Sequence, residues 1–348
     1  MAAELSTKAK AWLLFDRIVA DAAPEGIHSN PWIVNDRGDT QYAPDLETLR
    51  KLLGVPLHFK ASTTTGVPAL ALDVWLSYEL RRAGFDPDAV WPRGQDPRVL
   101  PAPIVNLLAK LPQKERELVW RRVQKSPSGV ASGTANILGK NYRKQVDVGM
   151  STWESGPQAL ISTKRMDSSF GKNAANRVEE SYGDAKNLRL RHPLAALGFV
   201  YGLRSTILEE SPDTADWIID LLQKLGHEDD AYHAVALIMI EYGADFAVDN
   251  SEDDPGGGED RLIEAGLKPE PDETDLAAEA EVDISELDTA LATLPAVRLL
   301  QDRVPDDLQP GHFLDLMVRR IISATPVNMH IEARKRLREA ADIARSNW

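Results

Sequence analysis

The chain has 348 residues, 43% of them apolar and 27% charged, with a formal net charge of −14 and no cysteine. That length and apolar share suffice for a large core in one or two domains, while the lack of cysteine excludes disulfides, thiolate zinc sites, iron–sulfur clusters and a cysteine nucleophile. The charge is uneven: residues 1–200 carry 27 Lys and Arg against 21 Asp and Glu, residues 201–348 carry 13 against 33, and the 101–200 stretch carries 16 against 8, the local sign that a polyphosphate ligand favours.

Residues 5–21 space Leu5, Ala9, Trp12, Leu13 and Ile18 as a helix does, and the Pro-, Asn- and Asp-rich stretch that follows to Pro44 predicts a loop. Ser62 to Thr65 offers caps and Pro68 suits a first turn, so the apolar run LALDVWLSYEL predicts a long, buried helix ended by Gly84. DPDAVWPRGQDPRVLPAP reads as irregular, and Lys114 to Lys125 as a charged amphipathic helix. After SPSGVASG the period changes to an extended one: Gln145 to Val148 and Ala159 to Thr163 predict short strands joined by the turn-rich STWESGP. The loop MDSSFG leads into a helix from Lys172 to Leu188.

PLAALGFVYGL is short and holds Gly198 and Gly202, which favours a buried strand; Thr214 to Leu225 predicts an amphipathic helix, and AVALIMI (234–240) a buried strand or helix. Between Asp249 and Asp283 stand 14 acidic and 2 basic residues, a solvated linker or mobile insertion by composition. Helical patterns return in GHFLDLMVRRII and EARKRLREAADIAR. The division expected is a mainly helical region over 1–130, a mixed α/β core over 131–248, the acidic segment 249–283 and a helical region over 284–348. The apolar run from His192 to Leu203 is too short to span a bilayer, so no membrane partner and a bacterial-type cytoplasmic setting are expected.

On a strand, residues two apart share a face, so Ser162 and Lys164 project together and Asp147 on the neighbouring strand can point into the same space. A carboxylate that holds a divalent metal beside a lysine that orients water or neutralises charge is what phosphodiester cleavage needs. Other motifs do not hold: SGTANILGKN has five residues between Gly133 and Gly139 where a phosphate loop has four, with Asn141 in place of Ser or Thr. No His-Glu-x-x-His occurs, and the seven histidines lack ligand spacing.

The stretch resembles the PD-(D/E)XK nuclease superfamily, in which Asp is followed after a variable gap by Glu-x-Lys; here Asp147 is followed, after a gap of fourteen residues, by Ser162-Thr163-Lys164. Serine at the Glu position is similar to a subset of type II restriction endonucleases, including those that cut within CCGG sites, which carry the acid on the following helix. That helix holds Glu179 and Glu180. At about 100° per residue, Ala174, Ala175, Val178, Tyr182 and Ala185 form an apolar face, with Glu179 on its edge and Glu180 nearly opposite, which favours Glu179. Glu180 is the reserve.

The resemblance covers about residues 137–204 and implies a restriction-endonuclease-like mixed sheet flanked by helices, with Mg²⁺ held by Asp147, Glu179 and the backbone carbonyl of Thr163. It implies Lys164 positioning the attacking water, Ser162 filling the vacated acid site, and double-stranded DNA as the partner of a homodimer or higher oligomer. Arg165, Lys172, Asn173, Asn176 and Arg177 would then face DNA, being types that contact base edges. A helix before the hairpin often supplies another acid in this superfamily, which falls on Asp73 or Glu79. The rival expectation is a non-catalytic defence-system scaffold whose acidic 249–283 segment docks a basic partner or mimics DNA charge.

Overall fold

The structure, a computed structural model, describes residues 5–62, 65–95, 97–125, 135–246 and 284–346, and the side chains of these other than 123–125, 171–177, 284 and 346. The acidic 249–283 segment lies outside the described residues. The first helical pattern forms α1 (Thr7–Ala22), capped by the Ser6 hydroxyl, which accepts from the Ala9 amide at 3.1 Å. The stretch expected as a loop holds a hairpin, β1 (Trp32–Val34) and β2 (Thr40–Tyr42). Asn35 closes it, its side-chain oxygen accepting from the amides of Arg37 and Asp39. Next comes α2 (Leu46–His58), capped by Asp45 and keeping Pro56 within it.

The apolar run beyond Pro68 is α3 (Val67–Arg82), ending before Gly84, whose φ of 98° suits glycine. Fourteen of its 16 residues are buried, so a polar side chain on it must find a partner inside the protein. A two-residue strand, β3 (Val90–Trp91), lies in the stretch expected to be irregular. Helices α4 (Ala102–Lys110) and α5 (Gln113–Lys125) then pack on a small cluster around Leu100 and Leu108.

The extended region gives β4 (Ala135–Leu138), β5 (Arg143–Val146), β6 (Val148–Thr152) and β7 (Gly156–Met166). The strand expected over Gln145 to Val148 is broken at Asp147. There the chain bends out of a two-stranded β4–β5 sheet into β6 of the central sheet. Helix α6 (Phe170–Arg189) crosses from β7 to β8 (Ala196–Arg204), and α7 (Ile207–Glu210) with α8 (Pro212–His227) crosses to β9 (Ala234–Glu241). The chain closes with α9 (Ile284–Ala292), β10 (Arg298–Leu299), α10 (Pro310–Ser323) and α11 (Ile331–Ser346).

The protein is thus mixed α/β. Its central sheet has the order β10-β9-β8-β7-β6-β3, with β7, β8 and β9 parallel and the other pairs antiparallel. Alternation along the strands sorts two cores. Ala159, Ile161 and Val200 face α3 and α10, whereas Leu160, Phe199 and Tyr201 face α6 and α8. Glycine in the β8 run serves close approach: a Cβ at Gly198 would meet Phe313 of α10 at 2.7 Å, and one at Gly202 would meet Leu72 of α3 at 3.1 Å. Edge strands β3 and β10 come from outside 131–248, so the expected regions share one sheet. Among the described residues no helix is long and apolar enough to cross a membrane.

Candidate active site

Asp147 sits at the bend between β5 and β6, just beyond the last β6–β7 register pair, Val148 with Ile161. With the ladder ended, the Thr163 amide has no strand partner on that side and donates to Asp147 Oδ2 at 2.7 Å. The hydroxyl of the same Thr163 donates to Asp73 Oδ1 at 2.5 Å. One residue of β7 therefore gathers an acid from α3 and an acid from the strand bend.

Asp73 is 8% exposed, in the middle of the apolar helix α3. Burial, and next the charge of Asp147, hold its carboxyl well above the usual carboxylate range, against the pull of the Thr163 hydrogen bond and of Lys164. Lys164 is half-buried, its ammonium charge acting on Asp73. Asp73, held in reserve on sequence grounds, and the Thr163 side chain are thus the groups that reasoning from sequence underweighted. The available signal was an acid inside a helix too apolar to leave it exposed.

The other expected site residues go elsewhere. Ser162 is buried on the opposite face of β7 and hydrogen-bonded to the Tyr232 hydroxyl, which itself donates to the Ser181 carbonyl of α6 at 3.0 Å. It ties β7 to α6. Glu179 is exposed and lines a groove between α6 and α8 with Val178, Tyr182, Trp217, Leu221 and Lys224, so it is not gathered with Asp147.

The expected helix phase is corrected by what α6 buries: Ser181, Ala185 and Leu188 mark the inward stripe. Glu180 is half-buried between Asp184 and Asn187 on the helix surface, at about 100° per residue. Those two neighbours hold the β4–β5 hairpin that leads to Asp147. Asp184 pairs with Lys144 at 3.0 Å and accepts from the Tyr142 hydroxyl, and Asn187 accepts from the Asn141 amide at 2.8 Å. Of the two glutamates, Glu180 is the one on the face of α6 toward that hairpin.

Glu79 belongs to a structural knot. It is fully buried and accepts from the Tyr42 hydroxyl at 2.9 Å, the Asp45 amide at 2.5 Å and Arg82 at 3.1 Å. Arg165 does not face solvent as a DNA contact would: it is buried against Asp167 at 2.8 Å and donates to the Pro68 carbonyl. Its alternation on β7 turns it inward under α3. The side chains of Lys172, Asn173, Asn176 and Arg177 lie outside the described residues.

Among the described residues no three His, Asp or Glu side chains converge as a ligand set. The donors at Thr163 nevertheless fit a hard divalent cation. Asp73 and Asp147 offer carboxylate oxygens on one residue, Thr163 adds a carbonyl, and a cation would relieve the repulsion that Asp73 bears. No family model, no curated protein and no solved structure matches the chain.

Proposed function

We propose that the chain is a Mg²⁺-dependent, sequence-specific double-stranded DNA endonuclease with a PD-(D/E)XK-like core, acting as a cytoplasmic homodimer or higher oligomer in a restriction system. The observation that carries the reading is the convergence of Asp73 and Asp147 on Thr163, next to Lys164. Support also comes from the order of parts. A helix before the hairpin supplies an acid, the hairpin supplies Asp147 and Lys164, and the next helix carries Glu179 and Glu180. The basic 101–200 stretch carries all but Asp73 of this set.

In this reading Asp73, Asp147 and the Thr163 carbonyl hold Mg²⁺, with Glu180 now preferred over Glu179 as the acid from α6. The ion would polarise the phosphate and lower the pKa of a bound water. The Thr163 amide and hydroxyl tie Asp147 and Asp73 to one residue of β7. Lys164 would orient the attacking water and offset charge on the phosphorane, while a P–O bond forms to the water oxygen, whose proton passes to solvent, and the P–O bond to the sugar oxygen breaks, that oxygen taking a proton from solvent. Ser162 acts on structure, fixing β7 against α6 so that the neighbouring Thr163 keeps its register.

The test is incubation of the full chain with bacteriophage DNA, methylated and unmethylated, in Mg²⁺ or Mn²⁺. Discrete fragments that disappear with Asp147→Ala and Lys164→Ala are the expected result. Intact DNA under every condition would overturn the reading in favour of a non-catalytic scaffold.

A further inference from the structure

The parallel strands β7, β8 and β9 end together, and a connected set of side chains stands at that end. Arg165 pairs with Asp167 at 2.8 Å, and Asp167 accepts from the Tyr242 hydroxyl at 2.9 Å. Arg204 lies with its guanidinium carbon 4.4 Å from the centre of the Tyr242 ring. Crevices beyond the C-terminal ends of parallel strands are where open α/β sheets bind ligands.

Each member of the set except Arg204 is satisfied. Asp167 is neutralised by Arg165, and Tyr242 is fixed by Asp167, its phenol pushed up to about 12 by burial and then by that carboxylate. Arg204 has a buried Nε with no hydrogen-bond partner and, among the described residues, makes no ion pair. A guanidinium carries five N–H donors and no acceptor. Set 4.4 Å from the ring centre, with its Nε unpartnered and no ion pair among the described residues, it is placed to receive an anion from outside.

Its position relates it to the cleavage centre. By alternation from Val200, Arg204 is on the α3 face of the sheet, the face on which the Thr163 hydroxyl meets Asp73. It stands three residues beyond Tyr201, the register partner of Lys164, a rise of about 10 Å. That is about three nucleotides at ~3.4 Å per nucleotide along one strand.

We infer that Arg204, stacked on Tyr242, is a binding site for a backbone phosphate of the DNA strand, about three nucleotides from the scissile bond. The inference rests on the nuclease reading and adds a substrate-positioning residue to it. Tyr242 is the platform, and the Arg165–Asp167 pair holds the platform while neutralising the Asp167 carboxylate.

Binding of a fluorescein-labelled duplex of mixed sequence, followed by anisotropy in EDTA so that nothing is cut, tests it across salt concentrations. Arg204→Met keeps the stem over the ring and removes the charge. It is expected to weaken binding on the order of tenfold and to flatten the slope of log K against log salt by about 0.9, one phosphate contact. Arg204→Lys is expected to recover most of the slope and part of the affinity. Melting of both variants at the wild-type temperature excludes a folding effect.

Wild-type binding with an unchanged affinity and slope in Arg204→Met would overturn the inference. In that case cleavage lost in Asp147→Ala and Lys164→Ala leaves the nuclease reading standing. A wild-type chain that neither binds nor cuts DNA overturns both.

Discussion

Asp73→Asn in metal-free buffer is expected to stabilise the protein while abolishing cleavage. Asp73 and Asp147 bind one residue through hydrogen bonds of 2.5 and 2.7 Å, which keeps their oxygens within about 8 Å given the span of a single residue. At an effective dielectric near 20, two such charges repel by about 2 kcal/mol. Asparagine retains an oxygen that accepts from the Thr163 hydroxyl, so the hydrogen bond survives and the repulsion goes.

The direction with pH follows from the raised pKa of Asp73. The folded chain keeps a proton that the unfolded chain releases above about pH 4. Stability linked to this group is therefore present below about pH 4 and lost as pH rises through the folded-state pKa. Urea unfolding in EDTA should show Asp73→Asn ahead by about 2 kcal/mol at pH 8 and nearly level at pH 4, with the same m-value. Added Mg²⁺ should narrow or reverse the difference by stabilising the wild type more. A variant less stable than wild type at pH 8, or a gain equal at both pH values, would refute the repulsion on which the site is argued.

Lys164→Ala should leave the urea midpoint within experimental spread and lower cleavage by about 10²–10³-fold, the effect of removing one group aimed at developing charge. Glu180→Gln should weaken Mg²⁺-dependent cleavage, whereas Glu179→Gln, set in the α6–α8 groove, should leave cleavage kinetics near wild type. Glu79→Ala strands Arg82 beside the Tyr42 hydroxyl and should cost about 3–5 kcal/mol of stability by urea unfolding. His28, whose pKa is lowered to about 4 by burial and then by Arg81, Arg336 and Arg82, refuses a proton that the unfolded chain accepts near 6.5. The stability linked to His28 should thus be full above about pH 6.5 and fall toward pH 4, and His28→Gln should flatten the slope over that window.

Much of the fold was legible because period and punctuation agreed. Pro68 and Gly84 bracket α3, and the all-apolar runs of β8 and β9 match strands buried on both faces. What failed to show needed partners distant in sequence. β3 and β10 are two residues each and exist only because β6 and β9 offer edges. The β1–β2 hairpin hangs on the Asn35 side chain, and α2 carries Gly54 and Pro56, which locally argue against a helix. The break at Asp147 is likewise a tertiary event, since Val146 and Val148 are both good strand residues and only the change of sheet separates them.

At the site the sequence showed the pieces and misjudged the geometry of their meeting. Alternation on β7 separates Ser162, buried toward α6, from Thr163, whose hydroxyl meets Asp73 on the other face, and strand alternation alone does not bring Asp147 to either. Asp147 reaches the strand through its backbone, at the Thr163 amide. The helix phase of α6 was centred on Ala174, Ala175 and Val178 as well as Tyr182 and Ala185, whereas burial centres on Ser181, Ala185 and Leu188. A serine on the inward stripe and an asparagine, Asn187, buried beside it are invisible to a hydrophobic count.

Asp73 illustrates the opposite error. A buried carboxylate on an apolar helix is costly unless held, and its holder stands ninety residues away in the chain. Glu79 on the same helix is held by the Tyr42 hydroxyl, the Asp45 amide and Arg82, whereas Asp73 meets one hydroxyl and the charge of a second acid, and that difference singles out Asp73 for the proposed cation.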